Sequence, residues 1–235
     1  CVQSTLEGIV GDEDCLNLNI IRPTETSEEP LPILFFTHGG SFTNGAGNGE
    51  TYISNPQLAK NAILVTHNYR LQALGFLAHP ELSQEDADLY SGTGTSGNQG
   101  LFDTLLALQW VNENAEVLGG STDSIMIFGE SAGGNSTCAL LASPMAADLF
   151  TSALIQSAGC LWFPELKTPT LYAQPAEEFG TQFSQEVGCD VDGLDCLRSK
   201  DAEEIIGAMP DDNYFPNADG IFLTTHPTLS LAYGN

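Results

Sequence analysis

Four short runs of almost unbroken apolar residues punctuate the chain, in "LPILFFTHGG", "NAILVTHNYR", "SIMIFGE" and "TSALIQSAG". Runs of this length without polar alternation read as strands covered on both faces, each too apolar to be half exposed. Between the second and third, "NQGLFDTLLALQWVNENAEVLGG" repeats Leu101, Leu105, Leu108 and Val111 at helical spacing, and Gly119 with Gly120 supplies the stop. After the third run, "AGGNSTCALLASP" opens with small residues and ends at a proline, as a closely packed helix would. Strand–helix–strand alternation of this kind specifies an α/β fold with a mainly parallel sheet flanked by helices. The stretch from Trp162 to Asn235 is less regular, with a helix expected around "PAEEFGTQFSQEVG". No repeat or low-complexity linker divides the 235 residues, so one domain is expected.

Charge narrows the partners. The chain carries 31 acidic against 6 basic residues, a formal net charge of −25. Such a surface repels phosphate backbones and anionic lipid, which excludes nucleic acid and anionic membranes as partners. The acids are scattered over the whole chain, so the charge reads first as a solvated surface. Steering of a cationic substrate and an acidic interaction surface are the narrower alternatives. No apolar run reaches the roughly 18 residues of a membrane-spanning helix.

Six cysteines stand at 1, 15, 138, 160, 189 and 196. Cys1 with Cys15, and Cys189 with Cys196, are close enough to close short loops, which points to an oxidising compartment. Neither pair carries the CxxC or clustered histidines of a zinc site. Cys138 lies in an apolar helical stretch and reads as a buried thiol, and Cys160 has no obvious mate. A Cys138–Cys160 bridge remains open at this point.

The chemistry concentrates in "IFGESAGGNS". Gly129, Glu130, Ser131, Ala132 and Gly133 form the Gly-x-Ser-x-Gly pattern of a sharp turn between a strand and a helix. Strand and helix crowd such a turn, so its flanking positions have no room for a Cβ. The turn lifts the serine hydroxyl at the carboxyl edge of the sheet and directs the Ala132 amide toward a developing oxyanion. A second motif, "THGGSF", ends an earlier strand and offers the amides of Gly39 and Gly40 to the same oxyanion hole.

With these motifs in place, the chain resembles the type-B carboxylesterase family of esterases, lipases, cholinesterases and neuroligins. The resemblance rests on "EDCLNLNIIRP", "HGGSF", "NYRLQALGFL", "GNQGLFDTLLALQWVNENAEVLGG" and "IFGESAGG", in that order. It implies an α/β-hydrolase fold, incomplete at both ends, and pairing of Cys1 with Cys15 and of Cys189 with Cys196. It also implies Ser131 as nucleophile, an oxyanion hole from Gly39, Gly40 and Ala132, and Glu130 and Ser157 as neighbours that support the serine. No metal or cofactor is implied. The substrate it implies is a small-molecule or lipid ester, and the expected compartment is secreted or otherwise oxidising (extracellular or periplasmic). Gln72 stands where the family usually has glycine, Thr104 where it has glutamine, and Ser121 where aspartate is common. These departures bear on packing. The Cys1–Cys15 loop contains no tryptophan, which removes the main support for a cholinesterase.

In that family the catalytic acid and histidine lie well downstream of the serine, so this sequence is expected to be an interior piece of a larger esterase. Two alternatives accompany that reading. One is a self-contained small hydrolase using His226, with Asp190, Asp192, Asp195 or Asp219 to orient it. The other is a binding or adhesion homologue that has lost its catalytic histidine or acid.

Overall fold

The computed structural model describes residues 1–25, 27–49, 59–160, 163–169, 174–190, 193–208 and 215–233. A small antiparallel hairpin of β1 (Gln3–Thr5) and β2 (Gly8–Val10) precedes the main sheet. That sheet contains β3 (Leu18–Ile21), β4 (Leu31–Thr37), β5 (Ile63–His67), β6 (Gly120–Glu130) and β7 (Ser152–Gln156), in the spatial order β3-β5-β4-β6-β7. The last four of these run parallel, and β3 lies antiparallel to β5. Helices α1 (Gln72–Phe76), α2 (Pro80–Leu89) and α3 (Gln99–Leu118) connect β5 to β6. Helix α4 (Ala132–Ala142) and a short 3-10 turn at Pro144–Ala146 connect β6 to β7. Beyond β7 come α5 (Ala176–Glu186), α6 (Gly193–Ser199), α7 (Ala202–Gly207) and α8 (Pro227–Tyr233). The end of the chain is therefore more helical than its sequence suggests.

Apolar patterning places these elements. Ile33, Phe35, Ile63, Val65, Ile125 and Ile127 fill the sheet's interior, and Leu101, Leu105, Leu108 and Val111 of α3 close over it. Burying each such side chain is worth about 1.5–3 kcal/mol, which is why α3 holds against the sheet. Gly119 ends α3 at φ 83, a left-handed position that an L side chain takes only with strain. β6 starts at Gly120, earlier than the apolar run "SIMIFGE", and its register against β4 shifts between Leu31 and Ile33.

One strand departs from expectation. β7 alternates exposed and half-buried residues, with Leu154 44% exposed. It hydrogen-bonds to β6 on one side, and among the described residues no strand pairs with its outer edge. An edge strand lacks the flanking neighbour that would cover it, so an apolar sequence does not ensure burial there. β3 was not singled out from sequence, because its four residues are all only partly buried.

All six cysteines are paired: Cys1–Cys15, Cys138–Cys160 and Cys189–Cys196, with Cα separations of 4.9, 5.8 and 5.4 Å. Cys138 is buried as expected, but it is not a free thiol. Its partner arrives from the turn after β7, a proximity that only the folded sheet creates.

Of the three family departures, Gln72 and Thr104 are buried, while Ser121 lies nearer the surface. Gln72 opens α1 at φ 51 in a region that favours glycine, and it is buried. The Thr104 hydroxyl bonds back to the Gly100 carbonyl at 3.0 Å, and Ser121 accepts the Asp123 amide at 3.1 Å. Reciprocal amide bonds between Asn98 and Asn217, both 2.9 Å, tie the late segment to the start of α3.

The strand-to-helix connection after β5 is locked by Arg70, whose Nε and Nη2 each donate to the Asp103 carboxylate on α3 at 2.8 Å. The Arg70 amide donates to the same carboxylate at 3.0 Å. Asp103 is nearly buried while Arg70 is 40% exposed, so removing the acid leaves a partly solvated cation. Asp103→Ala is expected to cost about 2–3 kcal/mol, below the range for a fully buried pair, read as a drop in the urea midpoint.

Candidate active site

The parallel register of β4 with β6 pairs Thr37 with Gly129. The residues that follow each strand, His38–Gly39–Gly40 and Glu130–Ser131, therefore emerge side by side at one edge of the sheet. A methyl group added to Gly39 would stand 3.3 Å from Ser131 Cβ and 2.7 Å from the Glu130 carbonyl. A Cβ on Gly133 would collide with the Thr37 carbonyl, and one on Gly129 with the Gly133 carbonyl. The glycines of both motifs are thus places where two backbones touch.

Ser131 adopts φ 56 and ψ −120, a strained conformation for a residue with a side chain. It occupies the N-cap of α4, where serine ordinarily bonds its hydroxyl to the first helical amides, yet it makes no such bond. The hydroxyl is left for other work. Its backbone is held from both sides: the Ser131 amide donates to the Gln156 carbonyl at the end of β7, and the Asn135 amide donates to the Ser131 carbonyl, both at 2.9 Å. Ala132 opens α4 and is buried, so its amide lies at the positive end of that helix.

The Gly39–Gly40 loop is clasped through its carbonyls. The Gly40 carbonyl accepts the amides of Thr43 and Asn44 at 2.9 and 3.0 Å and the Thr43 hydroxyl at 3.2 Å. His38 Nδ1 lies 2.7 Å from the Gly39 carbonyl oxygen. Across a planar trans peptide the next N–H points the opposite way, so the amides of Gly40 and Ser41 face away from these clasps. Phe42, at φ 61, anchors the loop by packing edge-on against Phe76 at 4.9 Å and Phe215 at 5.9 Å. Sequence reasoning passed over Ser41, Tyr69 and Gln3. The Tyr69 hydroxyl donates to the His38 carbonyl at 3.0 Å, and the Gln3 side chain spans the Gly45 amide and carbonyl at 2.8 and 3.0 Å. Nothing local marks Gln3, because its contact is 42 residues away.

The remaining candidates fall as follows. Glu130 is exposed, with its carboxylate over Gly39. Ser157 is exposed at φ 53, one residue beyond the carbonyl that holds the Ser131 amide. None of the four histidines hydrogen-bonds Ser131 in this structure. His226 Nδ1 accepts the Thr228 amide at 3.3 Å and lies 2.7 Å from its hydroxyl, capping α8. That helix packs on α4 where Ser230 donates to the Ala142 carbonyl at 3.3 Å. Ala142 is about 16 Å along the helix from Ser131, so the arrangement does not favour His226 as its base. Asp190 and Asp195 are exposed, Asp219 accepts the amides of Ile221 and Leu223, and Asp192 lies outside the described residues. No group of three metal-ligating side chains gathers among the described residues.

Burial sets the protonation of the histidines behind the loop. His38 is pushed down to about 4, first by burial, with its bond to the Gly39 carbonyl opposing. His67 falls to about 3 for the same reason, its bond to the Asn68 carbonyl opposing and the charge of His38 adding. Both are neutral at pH 7, and their rings stack on Tyr69 and Phe35 at 4.4 and 4.7 Å.

A serine on a strand–helix elbow, facing a glycine loop from the neighbouring parallel strand, defines an α/β-hydrolase. The carboxylesterase family profile matches residues 2–234, and the chain belongs to that family. A para-nitrobenzyl esterase of Bacillus subtilis is 36% identical over 83% of the chain, and a Danio rerio acetylcholinesterase 34% over 96%. A fumonisin B1 esterase of Sphingopyxis macrogoltabida is 38% identical over 82% of it. Among solved structures, the Geobacillus stearothermophilus carboxylesterase EST55 superposes with a TM-score of 0.81 at 34% identity, covering 99% of this chain. A PNB esterase gives 0.81 at 35%, covering all of it. The chain spans 32–37% of those curated relatives and 46–48% of those solved chains.

Two outcomes follow from this geometry. Gly133→Ala is expected to destabilise the fold by about 3 kcal/mol or more, because its methyl meets the backbone carbonyls of Thr37 and His38, which cannot move aside as a side chain would; thermal unfolding measures it. His38 and His67 have folded pKa values below the unfolded value near 6.5, so the unfolded chain binds more protons in the window between. Their contribution is complete above pH 6.5 and is lost as pH falls toward 4, with a slope approaching about 1.4 kcal/mol per pH unit for each. Urea midpoints at pH 7, 6 and 5 are expected to fall in that order, and a flat series contradicts it.

Proposed function

We propose that the whole protein hydrolyses carboxylic esters through an acyl-enzyme, with Ser131 as the nucleophile. The observation that carries this reading is the strained, uncapped Ser131 standing against Gly39 of the second glycine loop. Ser131 Oγ attacks the ester carbonyl and gives up its proton to a histidine, which returns it to the departing alcohol. The amide of Ala132, with those of Gly39 and Gly40, holds the oxyanion, and the carbonyl clasps extend that set to the Ser41 amide. Each donor of this kind is worth about 3–4 kcal/mol in the transition state. Glu130 and Ser157 flank the nucleophile and fix its surroundings.

The histidine and its orienting acid come from residues beyond these 235, which form one partial α/β-hydrolase domain. The 46–48% coverage of solved esterases supports this. Substrates are small-molecule or lipid esters, and the relatives that act on a para-nitrobenzyl ester or on fumonisin B1 illustrate the range. Three disulfides favour a secreted protein in an oxidising compartment. The whole protein is expected to hydrolyse p-nitrophenyl acetate, and Ser131→Ala to lower kcat by about a millionfold. Hydrolysis that survives this substitution overturns the assignment, and a folded whole protein with none is the binding homologue instead.

A further inference from the structure

We infer that His38 is a positioning residue for the reaction, acting through the Gly39–Gly40 peptide; the inference rests on the ester-hydrolase reading above. A carbonyl oxygen only accepts, so at 2.7 Å from the Gly39 oxygen His38 Nδ1 carries the proton and donates it. The bond draws that carbonyl to the imidazole side of the loop. The trans peptide then fixes the Gly40 N–H on the side away from the imidazole, in a loop whose Gly39 lies against Ser131. Gly40 itself sits at φ 104 and Gly39 has no side chain, so nothing in the loop's own covalent structure prevents this peptide from turning over. A flipped peptide would present a carbonyl oxygen to a developing oxyanion, replacing attraction with repulsion.

Tyr69, Gly45 and Gln3 hold the imidazole to this task. Its ring stacks on Tyr69 with centroids 4.4 Å apart, and the Tyr69 hydroxyl fixes the His38 backbone carbonyl at 3.0 Å. Gly45 packs directly against Nδ1 and Cε1, where only a glycine leaves room for the ring. The Gln3 side chain holds both the amide and the carbonyl of Gly45, which ties this wall to the Cys1–Cys15 segment. His38 Nε2 is buried and has no hydrogen-bond partner among the described residues, so Nδ1 is the nitrogen that does the work.

The test compares kcat and KM for p-nitrophenyl acetate in the whole protein carrying His38→Ala, His38→Asn or His38→Gln, with Ser131→Ala as the reference for lost chemistry. Asparagine places an amide N–H near the position of Nδ1, whereas glutamine places it near Nε2. His38→Ala and His38→Gln are expected to lose about 10²-fold in kcat with KM within about twofold, and His38→Asn to recover most of that loss. Equal kcat in all of them, or equal losses in Asn and Gln, overturns the inference; the Asn–Gln pair decides it if His38→Ala does not fold. A second readout is independent of turnover. The ¹⁵N shifts of the His38 ring in the whole protein at pH 7 are expected to show a protonated Nδ1 and a bare Nε2. The opposite tautomer overturns the inference even where ester hydrolysis is intact. An inactive wild type with the expected tautomer instead sinks the hydrolase reading and leaves the peptide anchor standing.

Discussion

Parallel pairing of β4 with β6, with Thr37 opposite Gly129, determines where everything at the site can be. Both strands leave the sheet at the same edge, and their exits must share a space with the first turn of α4. Only glycine at 39, 129 and 133 lets three stretches of backbone approach that closely. Given that contact, Ser131 has little freedom: its amide is taken by Gln156, its carbonyl by Asn135, and its backbone is forced to φ 56. The strain is sustained by the packed core beneath, where Ile33, Phe35, Ile125 and Ile127 bind the two strands together. The geometry at Ser131 is thus a consequence of strand register and core burial, two properties set far from the hydroxyl.

A second layer of contacts steadies the loop that faces the serine. Phe42 enters an aromatic cluster, His38 stacks on Tyr69, and Gln3 grips Gly45 from the disulfide-closed amino-terminal segment. The Cys138–Cys160 bridge does a comparable job on the other flank, joining α4 to the turn that follows β7. These supports come from parts of the chain separated by tens of residues, so the site is rigid only when the surrounding fold is complete. The outer edge of β7, which no strand covers among the described residues and where Leu154 is half exposed, lies on the flank of the sheet next to the strand that leads to Ser131.

Much of this was legible in the residues. Four apolar runs gave four parallel strands, the spacing of Leu101, Leu105, Leu108 and Val111 gave α3, and the two glycine motifs emerge side by side at one edge of the sheet. What escaped was non-local. β3 is too short and too partly buried to carry a pattern, and β7 is apolar yet exposed because edge position, which sequence does not encode locally, decides burial. The Cys138–Cys160 pairing needs the sheet to bring its ends together. Gln3 and Tyr69 look unremarkable until the fold lays them against Gly45 and His38. His226 shows the converse, a plausible candidate by chain order that the fold commits to capping α8.

In the proposed reaction these 235 residues supply the nucleophile and the oxyanion donors, and the base comes from elsewhere in the whole protein. Fluorophosphonate labelling of Ser131, compared between the folded 235-residue chain and the whole protein and located by peptide mass mapping, tests that division most directly. Rapid labelling of Ser131 in the whole protein and none in the shorter chain is the predicted result, because a serine without a base is nearly inert. Labelling of Ser131 in the 235-residue chain alone would contradict it and place a working base among the histidines already present.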